Sequence, residues 1–487
     1  MNCRALIVCA ALVACGGAKP VSVSSGWAEY KTDHFILDTD AGDADARSIL
    51  ANFEALRAAD LKVLAGDQAD FAGHIRLIVP SASTFAGLTH SRNVAAFYTH
   101  GVHHTDPVIV APPDFAIREP QVAAHELAHA VSFYLFPEQR HWFIEGVAEF
   151  IESLGASRAK EADGGTAVSV SGTFGDIPWN MQGFAGREEY QVHSEKLLAW
   201  NGVEDPVTPG LFHAHGWLLY SWLWNTRGKD LTAFQQQLAD GRSWDEAWAS
   251  SFPDLDPADH DKMRALDRSI LLYRRVGRFL KGKIEVKEPF HVEKAAVSRA
   301  TVRLWMIRLK NDWPADEQKR KLAYRVEIEQ ARAEDPDNAQ VIIDVASLDR
   351  KVTEADAREA VRRSPGQYDG WFALGDLAEA PADKEQAFRK AVELEPDCAA
   401  CNNSLAWFLV KNGRAKEALP YANRAVDLAP WAGYIIDTLA EVALQLGRCT
   451  EAVQLQTRAT RILISQGWKK EKREAHLASY REQCAKK

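Results

Sequence analysis

The residues best suited to chemistry are two histidines and a glutamate in the segment Ala123–Val131, which contains the pattern His-Glu-x-x-His. His125 and His129 are four positions apart, so on a helix both imidazoles lie on one face and can hold one metal ion. Glu126 lies at the rim of that face, where a carboxylate can act as general base on a metal-bound water. The spacing predicts a hydrolytic zinc site with His125 and His129 as ligands.

The alternative is an ordinary helix whose histidines contact only protein or solvent. A chance match to the pattern is expected in about a few per cent of chains of this length. The flanking residues argue against chance, because they are uncharged and predict a buried helix. A buried helix has little reason to carry two imidazoles and a carboxylate unless something compensates them. These flanks are Val122, Ala123, Ala124, Leu127, Ala128, Ala130 and Val131.

A second apolar segment, Trp142–Phe150, carries two glutamates. It resembles the glutamate helix of the gluzincin metallopeptidases, in which Trp-x-x-Glu-Gly-x-Ala follows the His-Glu-x-x-His helix. The resemblance implies that Glu145 is the third zinc ligand and that Glu149, one turn on, fixes a ligand imidazole by a hydrogen bond. Glu149 remains the alternative ligand. It follows His129 by 20 positions, closer to the spacing of the best-known gluzincins than the 16 of Glu145.

The elements that must position these residues begin with a small α/β region. Short runs with period-two alternation or a continuous apolar character predict strands, and a longer run with apolar residues every three to four positions predicts a helix. Pro137 is expected to end the first metal helix. The expected strands are 33–39, 75–79, 96–98 and 108–110, and the expected helix is 43–64.

The strand Phe97–Tyr98 has a specific role by resemblance. In gluzincins the edge strand of such a sheet pairs with the extended substrate backbone, and the resemblance assigns that position to Phe97–Tyr98. The histidines of the turn that follows, His100, His103 and His104, are expected to be solvated loop residues and not ligands.

An aromatic helix is expected at Leu211–Tyr220, after residues 156–190, whose Gly, Ser and Thr content suggests a loop near the cleft. The helix is similar to a segment of bacterial peptidase-MA-like proteins, where it faces the metal. His213 occupies a place that Tyr often holds, and either side chain can hydrogen-bond an oxyanion. A histidine that contacts only protein is the alternative, and His215 or a tyrosine could take the role instead.

The C-terminal part shows a 34-residue period with small residues at helix-packing positions, which is the tetratricopeptide pattern. Such a stack offers a groove for a peptide or a partner protein. Alternatively, it packs against the preceding domain and stabilises it. Leu405, Ala406, Gly413, Ala418 and Ala425 recur 34 positions later as Leu439, Ala440, Gly447, Ala452 and Ala459.

The N-terminus predicts export. A basic start is followed by the apolar run Ala5–Ala14, which is too short to span a membrane. The run ends in Leu-Val-Ala-Cys, which resembles a bacterial lipobox and implies cleavage before Cys15 and its lipidation. An ordinary secretory signal cleaved near Gly17 is the alternative. The lipid would be the sole membrane contact, and Gly16 favours the outer membrane because it is not a retention-like Asp.

The cysteines that remain after cleavage agree with an oxidising compartment, because their number is even. Cys398 and Cys401 are expected to form one disulfide, and Cys449 and Cys484 the other. A redox-active or metal-binding Cys-x-x-Cys pair is the alternative for the first. The net charge of -9 argues against a nucleic-acid partner.

Together these patterns predict an α+β zincin-like peptidase domain followed by an all-α tetratricopeptide-like superhelix. The implied function is zinc-dependent hydrolysis of peptide bonds in a peptide or protein, with Glu126 as general base. One alternative is a catalytically silent peptidase-like scaffold whose repeats bind protein partners, and another is a purely structural zinc. The expected divisions are a signal peptide at 1–15, a tether at 16–26, the peptidase domain at 27–280, a helical linker at 281–320 and the repeats at 321–487.

Overall fold

A six-stranded mixed sheet forms the framework of the N-terminal unit, residues 23–310. The computed structural model describes residues 23–24, 26–66, 70–89, 96–100, 107–118, 120–152, 154–160, 166–172, 192–203, 210–276, 287–288, 291–310 and 313–486. The expected signal peptide, Cys15, most of the tether, His103 and His104 lie outside them. The strands are β1 (Ala28–Lys31), β2 (Phe35–Thr39), β3 (Ile75–Val79), β4 (Phe97–His100), β5 (Pro107–Val110) and β9 (Glu293–Ala296).

The strand order is β4-β5-β3-β2-β1-β9, which places β4 at one edge of the sheet. Strands β2, β3 and β5 are parallel, with Leu37 opposite Leu77 and Leu77 opposite Ile109. Strand β4 pairs antiparallel with β5. The expectation that the Phe97–Tyr98 strand forms an edge agrees with this topology.

Alternate strand residues enter two different cores, as the two-residue period of a strand requires. Leu77 and Ile109 pack towards α1 and α4, whereas Ile78 and Val108 pack with Trp305 on the opposite face. Helices therefore cover both faces of the sheet. The helices of this region are α1 (Asp43–Ala65), α2 (Ala82–Thr89), α3 (Pro113–Arg118), α4 (Pro120–Leu135), α5 (His141–Ile151) and α11 (Arg299–Leu309).

Residues 293–309 do not form the helical linker that was expected at 281–320. They belong to the core of the N-terminal unit. Strand β9 extends the sheet by pairing with β1, with Ala296 opposite Ala28. Helix α11 then buries Trp305 and Met306 against the sheet. The apolar face of α11 is needed to cover strand residues that would otherwise face water. The end of the expected tether also belongs to this core, since Val23 is buried there.

Part of the stretch expected to be a loop forms a second sheet. β6 (Leu154–Lys160) and β7 (Thr166–Gly172) pair antiparallel over their whole length, and β8 (Lys287–Glu288) adds to β7. The loop prediction is therefore wrong for these residues, because the small polar composition concealed a two-residue alternation. Residues 173–191 lie outside the described part of the chain.

The remaining described residues of the N-terminal unit are mostly helical and enclose α5. Trp142 and Phe143 are fully buried among the aromatic side chains of the helices that follow. Helix α9 begins with a capping box between Ser243 and Glu246, which satisfies exposed amides at its start. The helices are α6 (Ser194–Leu198), α7 (Leu211–Thr226), α8 (Gly228–Ala239), α9 (Trp244–Ser251) and α10 (His260–Val276).

Residues 313–486 form the repeat unit, a stack of antiparallel helices. Ala406 and Ala440, 34 positions apart, are fully buried, and Gly413 and Gly447 take the left-handed conformation after the equivalent helices of successive repeats. The expected all-α repeat is thus present. Its helices are α12 (Glu317–Glu334), α13 (Ala339–Ser347), α14 (Glu354–Arg363), α15 (Tyr368–Leu377), α16 (Pro381–Leu394), α17 (Ala399–Lys411), α18 (Ala415–Leu428), α19 (Gly433–Gln445), α20 (Cys449–Ser465) and α21 (Lys470–Ala485).

Two disulfides lie in the repeat unit, Cys398–Cys401 and Cys449–Cys484. The first is at the start of α17, and the second joins α20 to α21. Among the described residues, no helix has both the length and the apolar character needed to cross a bilayer.

The repeat unit packs directly on the N-terminal unit. Arg461 forms two parallel hydrogen bonds to Glu138, at 2.9 and 2.8 Å, and His74 contacts Asp397 at 2.5 Å. Trp431 belongs to the same buried cluster as the core of the N-terminal unit. The repeats therefore contact the turn that joins the two metal-motif helices.

Candidate metal centre

The two motif helices form an antiparallel hairpin. Helix α4 carries His125 and His129 on one face and ends at Leu135, before the turn that contains Pro137. Helix α5 then returns alongside α4 with Glu145 buried. Because the turn is short, the start of α5 must lie beside the last turns of α4, and Glu145 reaches the two histidines.

The three predicted ligands converge on one point. The Nε2 atoms of His125 and His129 each lie 3.7 Å from the same oxygen, Oε2 of Glu145. All three ligand atoms lie within 4.8 Å of one another. The structure thus brings together the three residues that the sequence singled out as a metal site.

The donor set fits Zn²⁺. Two imidazole nitrogens and a carboxylate oxygen are common zinc ligands, and bonds of about 2.0–2.1 Å give a tetrahedron with edges of about 3.4 Å. The nitrogen-to-oxygen separations of 3.7 Å need to shorten only slightly to meet it. Nδ1 of His129 is buried with no hydrogen-bond partner among the described residues.

The cluster combines an ionised carboxylate, that of Glu145, with one neutral imidazole, that of His129. Burial lowers the pKa of His129 to about 4. Although burial opposes ionisation, the neighbouring imidazoles hold the pKa of Glu145 well below its ordinary range. A divalent cation binds an ionised glutamate and neutral imidazoles, so metal binding would release the proton that the neighbouring carboxylates hold on His125.

The number of ligands favours an open coordination site. In the part of the chain that the structure describes, no fourth His, Cys, Asp or Glu atom lies within 4.8 Å of all three ligand atoms, and His213, which approaches Glu145, does not meet this criterion. A structural zinc usually has four protein ligands, whereas a catalytic zinc has three and keeps one position for water or substrate. The cluster resembles the second kind.

Sequence reasoning missed Glu152, which lies on the far side of His125. Its Oε2 is 3.3 Å from His125 Nδ1, so Nε2 of the same ring faces Glu145. Despite the opposing effect of burial, the carboxylates of Glu145 and Glu152 raise the pKa of His125 well above its ordinary value. A carboxylate at Nδ1 fixes the ring orientation and directs Nε2 to a metal.

Glu149 was expected to take this bracing position, and the structure places it between two groups. Its Oε1 lies 3.6 Å from Nδ1 of His213, and it also groups with His125 and Glu152 within 4.8 Å. Glu152 follows Glu149 by three residues and lies on the same side of the end of α5. This spacing was the sequence signal that could have identified Glu152.

His213 lies in the cluster, with Nδ1 3.1 Å from Glu145 Oε2. A close crossing of α5 and α7 positions it. A Cβ on Gly146 would lie 2.5 Å from the carbonyl oxygen of Gly216, and a Cβ on Gly216 would lie 2.7 Å from the carbonyl of Trp142. Both glycines are therefore needed for the backbones of α5 and α7 to approach each other. This close approach brings His213 next to Glu145.

His215, the other candidate on α7, is occupied by backbone groups. Its Nδ1 donates to the carbonyl of Leu211 at 2.9 Å, and its Nε2 accepts from the amide of Val192 at 3.2 Å. Burial lowers the pKa of His215, so it is a neutral structural residue.

Glu126 lies under the edge strand. Burial raises its pKa to about 7, and the backbone amide of Tyr98 donates a hydrogen bond to its carboxylate. A pKa near neutrality suits a group that takes a proton and then returns it. Strand β4 therefore runs past the carboxylate that would act as general base.

His100 differs from the expectation of a solvated loop residue. It is the last residue of β4, and its ring lies 4.8 Å from that of Phe133 and 5.5 Å from that of Trp431. The expectation was wrong because two aromatic side chains distant in sequence cover the end of the strand.

Comparisons with known proteins found similarity only to solved structures. No protein-family model matches the chain, and no curated protein matches it. The chain is similar to the crystal structure of MamA protein, with 13% identity and a TM-score of 0.24, covering 31% of this chain and 84% of that one. It is also similar to TTC0263, a thermophilic TPR protein in Thermus thermophilus, with 18% identity and a TM-score of 0.25, covering 34% of this chain and 91% of that one.

Proposed function

We propose that the protein is a zinc-dependent peptidase. The observation that carries the proposal is the convergence of His125 Nε2 and His129 Nε2 on one oxygen of Glu145, each at 3.7 Å. Zn²⁺ bound there would polarise a peptide carbonyl and lower the pKa of a bound water. Glu126, next to the cluster, would take a proton from the attacking water and pass it to the leaving nitrogen.

Strand β4 supports a peptide as the substrate. It is the sheet edge beside Glu126, and an edge strand can pair with an extended backbone. A peptide bound antiparallel to β4 would cross the face of α4 that carries His125 and His129. His213, whose Nδ1 lies 3.1 Å from the same oxygen of Glu145, would donate a hydrogen bond to the oxygen of the reacting carbonyl.

The test combines zinc content with peptide-library cleavage. Wild-type protein is expected to bind one zinc and cleave peptides, and Glu126→Gln is expected to keep the zinc and lose at least about 100-fold in kcat, since general base catalysis contributes about 10²–10⁴-fold. His125→Ala should lose both. Wild-type protein that binds no zinc would overturn the proposal.

A non-catalytic scaffold is the competing function. It is favoured by the repeat unit, which exposes Trp407 and Tyr434 at about two-fifths of their surface. The same experiment separates the two, because a scaffold would bind zinc and cleave none of the library in either the wild type or Glu126→Gln.

We also propose that the protein is exported and anchored through Cys15, on the basis of the lipobox-like Leu-Val-Ala-Cys. Cys15→Ser is expected to move the protein from the membrane fraction to the soluble fraction. The substitution removes the residue that would carry the acyl chains, and stable anchoring depends on those chains. Mass spectrometry of wild-type protein is the direct readout. An unlipidated, fully soluble wild type would favour an ordinary secretory signal.

A further inference from the structure

An aromatic cluster continues the metal site along α4. Phe133 follows His129 by four positions, so it lies on the same face of the helix one turn further on. The ring of Tyr98 on β4 lies 6.4 Å from that of His129 and 5.9 Å from that of Phe133. His100, on the same side of β4 as Tyr98, contacts Phe133 at 4.8 Å. The packing of β4 on α4 thus continues beyond His129 as a cluster of aromatic side chains.

The repeat unit covers this end of the aromatic cluster. Trp431, just before α19, lies 5.5 Å from the ring of His100 and 4.8 Å from that of Tyr134. Gln466, just after α20, donates a hydrogen bond to the Trp431 carbonyl at 3.0 Å, which fixes the segment. Trp431 is 4% exposed, so it forms the inner layer of the wall.

The surface that remains open is apolar and neutral. His100 and Phe133 are half-buried, so the two units do not cover them completely. Burial lowers the pKa of His100 to about 4, and the ring is neutral near pH 7. Neutral aromatic faces attract large apolar or aromatic side chains, and they offer no partner to a carboxylate.

We infer that the repeat unit completes a substrate subsite, in which His100 and Phe133, backed by Trp431, receive a large apolar side chain of a peptide paired with β4. The inference rests on the proposed function for its substrate class. It makes the repeat unit part of the binding cleft as well as a packing partner. Trp431 acts as a positioning residue, because it reaches the peptide through His100.

The experiment compares Phe133→Ala, Trp431→Leu and a matched control, Trp407→Leu. Trp407 is a partly exposed tryptophan of the repeat unit that contacts Lys411. Each protein is assayed by peptide-library cleavage, and its zinc-loaded Glu126→Gln form by affinity selection from the same library. Thermal melting and zinc content check that each variant is folded. Trp431→Phe is added in case Trp431→Leu does not fold.

Wild type and Trp407→Leu are expected to prefer a large apolar residue over alanine at one position by on the order of 100-fold. Phe133→Ala and Trp431→Leu should reduce that preference to below about tenfold, because a lost apolar contact lowers discrimination by such factors. No positional preference in wild type, or an unchanged one in folded Trp431 variants, would overturn the inference. Selective binding that depends on Trp431 without any cleavage would support the subsite and reject the proposed hydrolysis.

Discussion

Glu145→Ala is expected to empty the site of zinc at ordinary zinc concentrations, whereas Glu149→Ala and Glu152→Ala keep the metal bound. The carboxylate of Glu145 is the group that both Nε2 atoms approach. Its removal leaves two imidazoles. The free energy of zinc binding should then weaken by several kcal/mol, because each direct ligand contributes to it. A bracing carboxylate costs only about 10–100-fold in affinity or activity when removed.

Glu152→Ala and Glu149→Ala are expected to differ from each other as well. Glu152 orients His125 through Nδ1, so its loss should weaken zinc binding more than the loss of Glu149. Glu149 faces His213, so its loss should lower the rate with zinc retained. Glu152→Gln keeps a hydrogen-bond acceptor and should recover part of the affinity.

The measurement is zinc bound per protein after dialysis at fixed free zinc, with circular dichroism as a check on folding. The exposed Glu379→Ala in the repeat unit is the control and should bind zinc as wild type does. If Glu149→Ala loses the metal while Glu145→Ala retains it, the longer spacing from His129 identifies the ligand. The Glu-Gly-x-Ala context would then have misled the assignment.

Gly146→Ala is expected to destabilise the N-terminal unit by at least about 2 kcal/mol, which is in the range for overpacked cores. The added methyl would lie 2.5 Å from the carbonyl oxygen and 2.8 Å from the carbonyl carbon of Gly216. Both are backbone atoms, so no rotamer change relieves the clash and the helices must separate. The better helix propensity of alanine, worth about 1 kcal/mol, offsets only part of the cost.

The same substitution should move His213 away from Glu145, because Gly216 follows His213 by one turn on α7. Gly228→Ala is the matched control, since nothing lies within 4 Å of a Cβ there, and it should be neutral or slightly stabilising. Urea unfolding of the three proteins is the measurement. Equal midpoints for Gly146→Ala and wild type would show that the crossing is not as close as described.

The elements that the sequence alone determined are those encoded by local periodicity. The two imidazoles share a face because they are four residues apart on one helix, and Pro137 ends that helix where expected. Phe97 and Tyr98 lie in a strand as their pattern predicts, and the period of 34 marked equivalent positions such as Ala406 and Ala440. Each of these depends on neighbours within one element or one repeat, so the pattern suffices.

Only the tertiary structure decided which distant groups meet. Glu152 contacts His125 across the hairpin, and His213 reaches Glu145 because Gly146 and Gly216 let two helices approach. Likewise, β9 completes the sheet from far along the chain, and Trp431 covers the end of β4. Such contacts follow from which apolar faces find each other during packing. Hydrophobic burial is non-directional. A local period in the sequence therefore shows which face of an element is buried, but not which distant element packs against it.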